Sequence, residues 1–258
     1  MYTAKLSIKQ TAMINYHTHQ ETALDILYSL IGYFINNGQM TDSHNHPHFI
    51  EQDYICIIVN IFNHDSLDQQ YHNIYIKNTL SKLKSDDFRI DILGKELESP
   101  DIATPDETEA LILTTRCYSQ QSPVKSFEFN PIPIHYLPKT YHDHEEYHNL
   151  ICWQRDFQAC DSLQIRCTVG ETWALNQMGD IHSELSQQGL EICKILMEKL
   201  RKPVYYDLYQ YYILDDEAHR KCPKCGGEWR LIEPLHEQYD FKCDKCYLLS
   251  NLGLSEKD

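Results

Sequence analysis

The first nine residues alternate. Tyr2, Ala4, Leu6 and Ile8 fall on one side and Thr3, Lys5, Ser7 and Lys9 on the other, the period of a half-buried strand. From Glu21 the period lengthens. Leu24, Leu27, Leu30, Ile31 and Phe34 make one helical face, and Asn37-Gly38 is a stop signal. Tyr54 to Val59 is a continuous apolar run, as in a strand buried on both faces. Asp68 to Leu83 reads as a helix with Tyr71, Ile74, Tyr75 and Leu83 on one side, and Phe88, Ile90 and Ile92 as a strand. Glu96 to Glu109 is an acidic loop, and Ala110 to Tyr118 a further strand. Such an order makes an α/β layer with helices packed on a sheet.

Pro123, Pro131, Pro133 and Pro138 then mark a boundary. From about His144 to Lys202 the pattern is helical. Trp153, Phe157, Cys160 and Cys167 form one stripe, and Leu185, Leu190, Cys193, Leu196, Met197 and Leu200 another. Pro203 ends this region, and Val204 to Tyr212 reads as a tyrosine-rich strand. The expected fold is therefore α+β. It comprises an N-terminal two-layer α/β sheet domain over 1–138, a helical region over 139–212 ending in that strand, and a zinc ribbon over 213–258.

The ribbon expectation rests on cysteine spacing. Cys222-Pro223-Lys224-Cys225 and Cys243-Asp244-Lys245-Cys246 are two C-x-x-C pairs separated by 17 residues. A C-x-x-C turn can place two sulfurs on one edge of a tetrahedron with Zn–S near about 2.3 Å, and a β-hairpin spacer brings round the second pair. Trp229 to Ile232 and Tyr239 to Lys242 read as its strands, with Glu233-Pro234 near the turn. Gly226 lets the backbone turn left-handed and aim amides at the sulfurs. One structural Zn²⁺ is expected, with iron the rival for the same ligands. Four thiolates leave no open position for catalysis. Their net negative charge accounts for Lys221, Lys224, Lys242 and Lys245 beside them.

Other pieces accompany these cysteines: Trp153, Phe157-Gln158-Ala159-Cys160-Asp161, Leu185-Ser186 with Gly189, Pro203-Val204-Tyr205-Tyr206, and Phe241 to Leu252. Together with the first cysteine pair, they make the stretch from Trp153 to Gly253 resemble a bacterial family of zinc-ribbon-containing proteins of unknown function, with a suggested nucleic-acid-binding role. The resemblance implies a ribbon and a cytosolic bacterial protein, and it carries over no catalytic residues.

Composition limits what such a chain does. The 258 residues carry 38 acidic against 23 basic side chains, a formal charge of −15. A hydrophobic fraction of 42% with 18 tyrosines supplies a core and excludes wholesale disorder. The longest clean apolar run, Ile55 to Val59, falls far short of the roughly 20 residues of a membrane helix. The start has no export signal, so a cytoplasmic protein is expected, with cysteines as thiols or metal ligands. The charge is uneven. Arg220 to Asp258 holds seven basic and seven acidic residues, so the whole excess lies in the first 219. Nucleic-acid contact, if made, must be local to the ribbon, and Lys224, Arg230, Lys242 and Lys245 are its candidate residues. Trp229, Tyr239, Phe241 and Tyr247 could stack on bases, but a small ribbon needs them for its own core.

The 14 histidines raise an enzymatic alternative. His144-Glu145-Glu146-Tyr147-His148 fits H-E-x-x-H, in which two imidazoles one helical turn apart bind zinc and Glu145 serves as base, with Glu171 a candidate third ligand. No metzincin-type extension follows, and a solvated helix start reads as simply. His44, His46 and His48 belong to an exposed polar loop, and Cys152, Cys160, Cys167 and Cys193 to buried helical positions. The leading expectation is a non-enzymatic ribbon protein that docks nucleic acid or a complex handling it. A protein-interaction adaptor with an acidic body comes second, and a metal-dependent hydrolase last. Loss of zinc is expected to unfold the ribbon alone.

Overall fold

A computed structural model describes residues 1–41, 46–141 and 146–256. The chain divides into two compact units.

The first unit comprises Met1–Ile102, Gln120–Ser122 and Pro133–Tyr147. Its strands are β1 (Tyr2–Lys9), β2 (Met13–Asn15), β3 (Gln20–Thr22), β4 (His48–Glu51), β5 (Tyr54–Ile61) and β6 (Phe88–Lys95); its helices are α1 (Ala23–Asn36) and α2 (Ile74–Leu80). Strands β4-β5-β1-β6 form an antiparallel sheet with β1 in its interior, as the alternation of Tyr2 to Lys9 anticipates. Ala4, Leu6 and Ile8 meet Ile26, Leu27, Leu30 and Phe34 of α1 in one core. Thr22 and Asp25 close a capping box at the start of α1, which draws the Asp25 carboxyl below its usual range. Gly38, at φ +68°, ends the helix beside Ile134, which any Cβ would overlap.

Two expected features shift. Leu24 lies on the flank of the helical stripe and is exposed. The helix anticipated over 68–83 is interrupted at Asn73, whose side chain accepts the Ile76 N–H and starts α2 afresh, so Ile76 and Thr79 turn inward and Ile74 and Tyr75 outward.

This unit buries His135. Its Nδ1 meets the Gly38 carbonyl at 3.1 Å, while Nε2 has no partner among the described residues. Burial lowers its pKa to about 4. The unfolded chain takes up this proton near about 6.5, so stability is full above that pH and is lost as pH falls toward the folded value, by about 3 kcal/mol in all. A melting temperature that drops between those values in wild type, and drops less in His135→Gln, is the expected result. An identical slope in both proteins would refute it.

The second unit comprises Ala103–Ser119, Pro123–Ile132 and His148–Asp258. Its strands are β7 (Leu111–Leu113), β8 (Val124–Ser126), β9 (Val204–Leu208), β10 (Arg230–Leu235), β11 (Tyr239–Cys243) and β12 (Leu248–Ser250). Helices α3 (His148–Arg166), α4 (Glu171–Gly179) and α5 (Glu184–Leu200) pack on one another, and α5 on β9. All six strands form one sheet, ordered β10-β11-β12-β9-β7-β8. Strands β7 and β12 run parallel to β9, and the other pairs are antiparallel.

This sheet crosses the boundaries expected near 138 and 212. The ribbon strands are its continuation, because β12 finds a partner in the buried, tyrosine-rich β9. The strand expected over 110–118 is confined to Leu111–Leu113, and the one over 204–212 ends at Leu208, with an isolated parallel bridge from Tyr212 to Ser255 beyond it. Cys167 leaves the α3 stripe, being exposed at φ +51° beyond the helix end, and Cys152 is half-buried. Cys160 and Cys193 are buried, as expected.

Candidate metal centre

The first C-x-x-C pair sits on a turn tied back on itself. The Gly226 N–H donates to the Cys222 carbonyl at 2.8 Å, and the Cys222 N–H to the Gly227 carbonyl at 2.9 Å. Gly226 takes φ +68°, the left-handed turn its position requires. The amide that reaches a sulfur belongs to Gly227 and faces Cys225. The second pair follows β11, with the Cys246 N–H on the Cys243 carbonyl at 3.3 Å and Tyr247 left-handed at φ +55° where the first pair has Gly226. The hairpin turn falls at His236 and Glu237, both at φ +54°. Glu233 and Pro234, expected near that turn, lie within β10.

The two turns converge. The sulfurs of Cys222, Cys225, Cys243 and Cys246 lie within 4.8 Å of one another, and the Cys225 and Cys243 sulfurs are 3.7 Å apart. A tetrahedron with metal–sulfur bonds of about 2.3 Å has edges of about 3.8 Å. The donor set therefore fits a thiophilic ion, and the four cysteines could hold one. The Gly227 amide draws Cys225 down to about 7, whereas burial pushes Cys243 and Cys246 up. An ion must displace those protons, so its affinity falls in acid. Among the described residues no other group of three or more His, Cys, Asp or Glu side chains converges in this way.

Aromatic packing holds the centre. Trp229, Tyr239 and Phe241 are buried, and the Trp229 ring lies 5.1 Å from Phe241 with its Nε1 donating to the Arg220 carbonyl. These three rings are core and unavailable for stacking on bases; Tyr247 is half-buried against Tyr205. Arg220 spans both Trp229 and Phe241 and donates to Ser250 and the Asn251 carbonyl, fastening the first turn to β12.

The candidate basic residues divide. Arg230 faces Asp240 at 3.4 Å, and Lys242 pairs with Asp244, so each has an acidic neighbour within the hairpin. Lys221 likewise pairs with Glu228. Lys224 and Lys245 are exposed, have no ion pair among the described residues, and line a common groove of about 600 Å³ against α5. Lys194 also lines it, a residue outside the apolar stripe that the sequence marks on this helix.

The H-E-x-x-H reading loses its helix. Glu146 bridges to Tyr141 in extended form and Tyr147 is buried outside any helix, so α3 begins only at His148. His144 and Glu145, like His44, lie outside the described residues. Glu171 accepts the Tyr212 hydroxyl at 2.7 Å. His46 meets the Ile58 carbonyl, and His48 packs edge-on against Tyr28.

Two family models match the chain, both described as domains of unknown function: DUF2310 over residues 105–209 and DUF8594 over 212–256. Together they span the stretch from Trp153 that carries the resemblance, and they meet between β9 and β10. An uncharacterised protein of Haemophilus influenzae is 29% identical over 98% of both chains. Another from the same organism is 33% identical over 63% of this chain and 80% of its own length. The chain belongs to one family with these uncharacterised Haemophilus influenzae proteins. No solved structure matches it significantly. Among the described residues no helix is long and apolar enough to cross a membrane.

Proposed function

We propose that the chain is a non-enzymatic zinc-ribbon protein that docks nucleic acid, or a complex that handles it, through the face where the ribbon meets α5. One Zn²⁺ held by Cys222, Cys225, Cys243 and Cys246 would be structural, since four thiolates leave no site for substrate. The observation that carries the reading is the groove beside the two cysteine turns. Lys194, Lys224 and Lys245 line it with His182 against a single carboxylate, Glu191. Glu191 lies 3.8 Å from Lys194 in an exposed pair, which is worth little. A chain of net charge −15 that keeps lysines together in one groove presents a local site for phosphates and discourages binding elsewhere.

Titration of single-stranded RNA and DNA at about 50 mM salt tests it. Three lysines give a slope of log K on log salt of about −2, and Lys224→Glu with Lys245→Glu abolishes binding. Absence of binding to either nucleic acid at that salt would eliminate direct contact.

The groove also has an apolar floor of Leu190, Met197, Pro223 and Tyr247, which favours a protein partner as the second reading. Salt-insensitive capture of a partner by wild type, lost on Met197→Asp, would select the adaptor.

A further inference from the structure

Parallel strands gather their carboxyl ends on one edge of a sheet, and ligands in such folds bind outside that edge. Here β7, β9 and β12 are parallel neighbours. The residues that follow them, Thr114 to Arg116, Tyr209, and Asn251 to Leu254, line one cavity of about 420 Å³ in the second unit. That volume lies in the range of small-molecule sites.

The cavity is pre-built. Asp207, 1% exposed at the end of β9, takes the Thr114 hydroxyl at 2.6 Å and Arg116 Nη2 at 3.0 Å, which ties β7 to β9. Asn251 exchanges hydrogen bonds with the backbone of Gln210, which ties β9 to β12. Arg116 also donates to the Thr115 carbonyl and lies over the Tyr209 ring, so its guanidinium is fixed with N–H groups to spare.

The two cations inside are unequally partnered. Asp207 pairs with Arg116, but the Lys125 ammonium has no hydrogen bond or ion pair among the described residues and lies over the Phe129 ring, 3.9 Å from its centroid. Burial and the neighbouring Arg116 lower the Lys125 pKa, while the Asp207 carboxylate acts weakly in the opposite direction. The carboxylates of the lining do not supply Lys125 with a paired counter-ion. Asp240 serves Arg230 and the Leu252 N–H, and Glu237 is exposed on the hairpin turn.

Phe129 adds an independent sign. It holds φ +72°, a costly conformation for a bulky residue, and Ser126 enforces it through the Phe129 N–H on its carbonyl and the Asn130 N–H on its hydroxyl. The strain keeps the ring over Lys125 at the cavity wall.

We propose that this cavity binds a small anionic molecule, with its carboxylate or phosphate on Lys125 and Arg116 and a flat apolar body against Phe129 and Tyr209. The full chain titrated with benzoate, phenyl phosphate, inorganic phosphate and benzamide tests the assignment. Benzoate or phenyl phosphate should bind, the tighter of the two identifying the anion class, and neutral benzamide should not. Lys125→Met should weaken binding at least about tenfold, and Lys125→Arg should retain it. Phe129→Gly relieves the backbone strain but removes a ring packed on Tyr239 and His236, so circular dichroism first checks its fold; the folded variant should weaken the aryl anions and leave inorganic phosphate unchanged. Failure of every anion to bind below about 10 mM would overturn the proposal. So would benzamide binding as tightly as benzoate, or unaltered affinity in folded Lys125→Met.

Discussion

Cys222→Ser is expected to abolish the zinc binding proposed for the four cysteines and to strip hydrogen-exchange protection from β9 and β7 as well as from β11 and β12. Structural zinc in a four-ligand site contributes about 10–16 kcal/mol, comparable with the about 5–15 kcal/mol that holds a whole domain together. The sheet carries the loss inward. Cys243 is itself the last residue of β11, and β12 starts two residues beyond Cys246. Strand β12 then pairs with β9 from Leu248↔Tyr206 to Ser250↔Leu208. Without β12, β9 becomes an edge strand of five buried residues, and its N–H and C=O groups on that side lose their partners. Arg220, which fastens the first cysteine turn to Ser250 and Asn251, would let go at the same time. Amides of α1 should keep their protection, since they belong to a core of their own. Exchange followed by mass spectrometry, with and without chelator, and metal analysis at one ion per chain provide the measurement. A metal-free protein whose β9 stays fully protected while β10 and β11 exchange freely would restore the detachable ribbon expected from spacing alone.

The reason that spacing does not reveal the pairing of β12 with β9 is physical. Two C-x-x-C pairs with a hairpin between them specify a metal site locally, because every ligand lies within 25 residues of the others. The four sulfurs, the aromatic core of Trp229, Tyr239 and Phe241, and the hairpin strands were legible for that reason. So were β1 and α1, whose burial follows their own period, and the existence of β5, although Tyr54, Ile55 and Ile58 are only half-buried where the apolar run suggested burial on both faces. What joins β12 to β9 spans about 40 residues, and what joins β7 to β9 spans about 90; no local period encodes either pairing. The same gap hid the cavity. Thr114, Thr115 and Arg116 continue an apolar triplet and read as more strand, yet they leave the sheet where Asp207, on another strand, binds Thr114 and Arg116. Lys125 and Phe129 read only as a loop between prolines. The turn residues of the hairpin were misplaced because Pro234 is tolerated in β10, an edge strand, while His236 and Glu237 take the left-handed conformations without glycine.

Gly189→Ala is expected to destabilise the second unit by about 1–3 kcal/mol although it improves helix propensity. The substitution sits inside α5, where alanine gains about 1 kcal/mol over glycine on propensity alone. Against that gain stands a collision. A Cβ at this position would lie 2.2 Å from a ring carbon of Tyr206 and 2.8 Å from Trp153 Nε1. Neither ring can yield, because both are fully buried and pinned. Trp153 donates to the Leu185 carbonyl at 3.2 Å, the Tyr206 hydroxyl reaches Ser186 at 3.4 Å, and the two rings meet edge-on at 6.0 Å. Removing the tryptophan tests the same contact from the other side, and Trp153→Ala should cost about 3–5 kcal/mol. Urea denaturation of the single variants measures both. In a double variant, Tyr206→Leu should recover part of the Gly189→Ala loss, whereas Tyr206→Phe, which keeps the ring, should recover none. A Gly189→Ala protein as stable as wild type would show that α5 can shift off β9. Trp153, Leu185, Ser186, Gly189 and Tyr206, which carry the family resemblance outside the cysteines, form one packing cluster where α3 and α5 lie on β9. Those positions hold β9 in place, β9 holds β12, and β12 holds the second cysteine turn, so they act on the metal centre through the sheet.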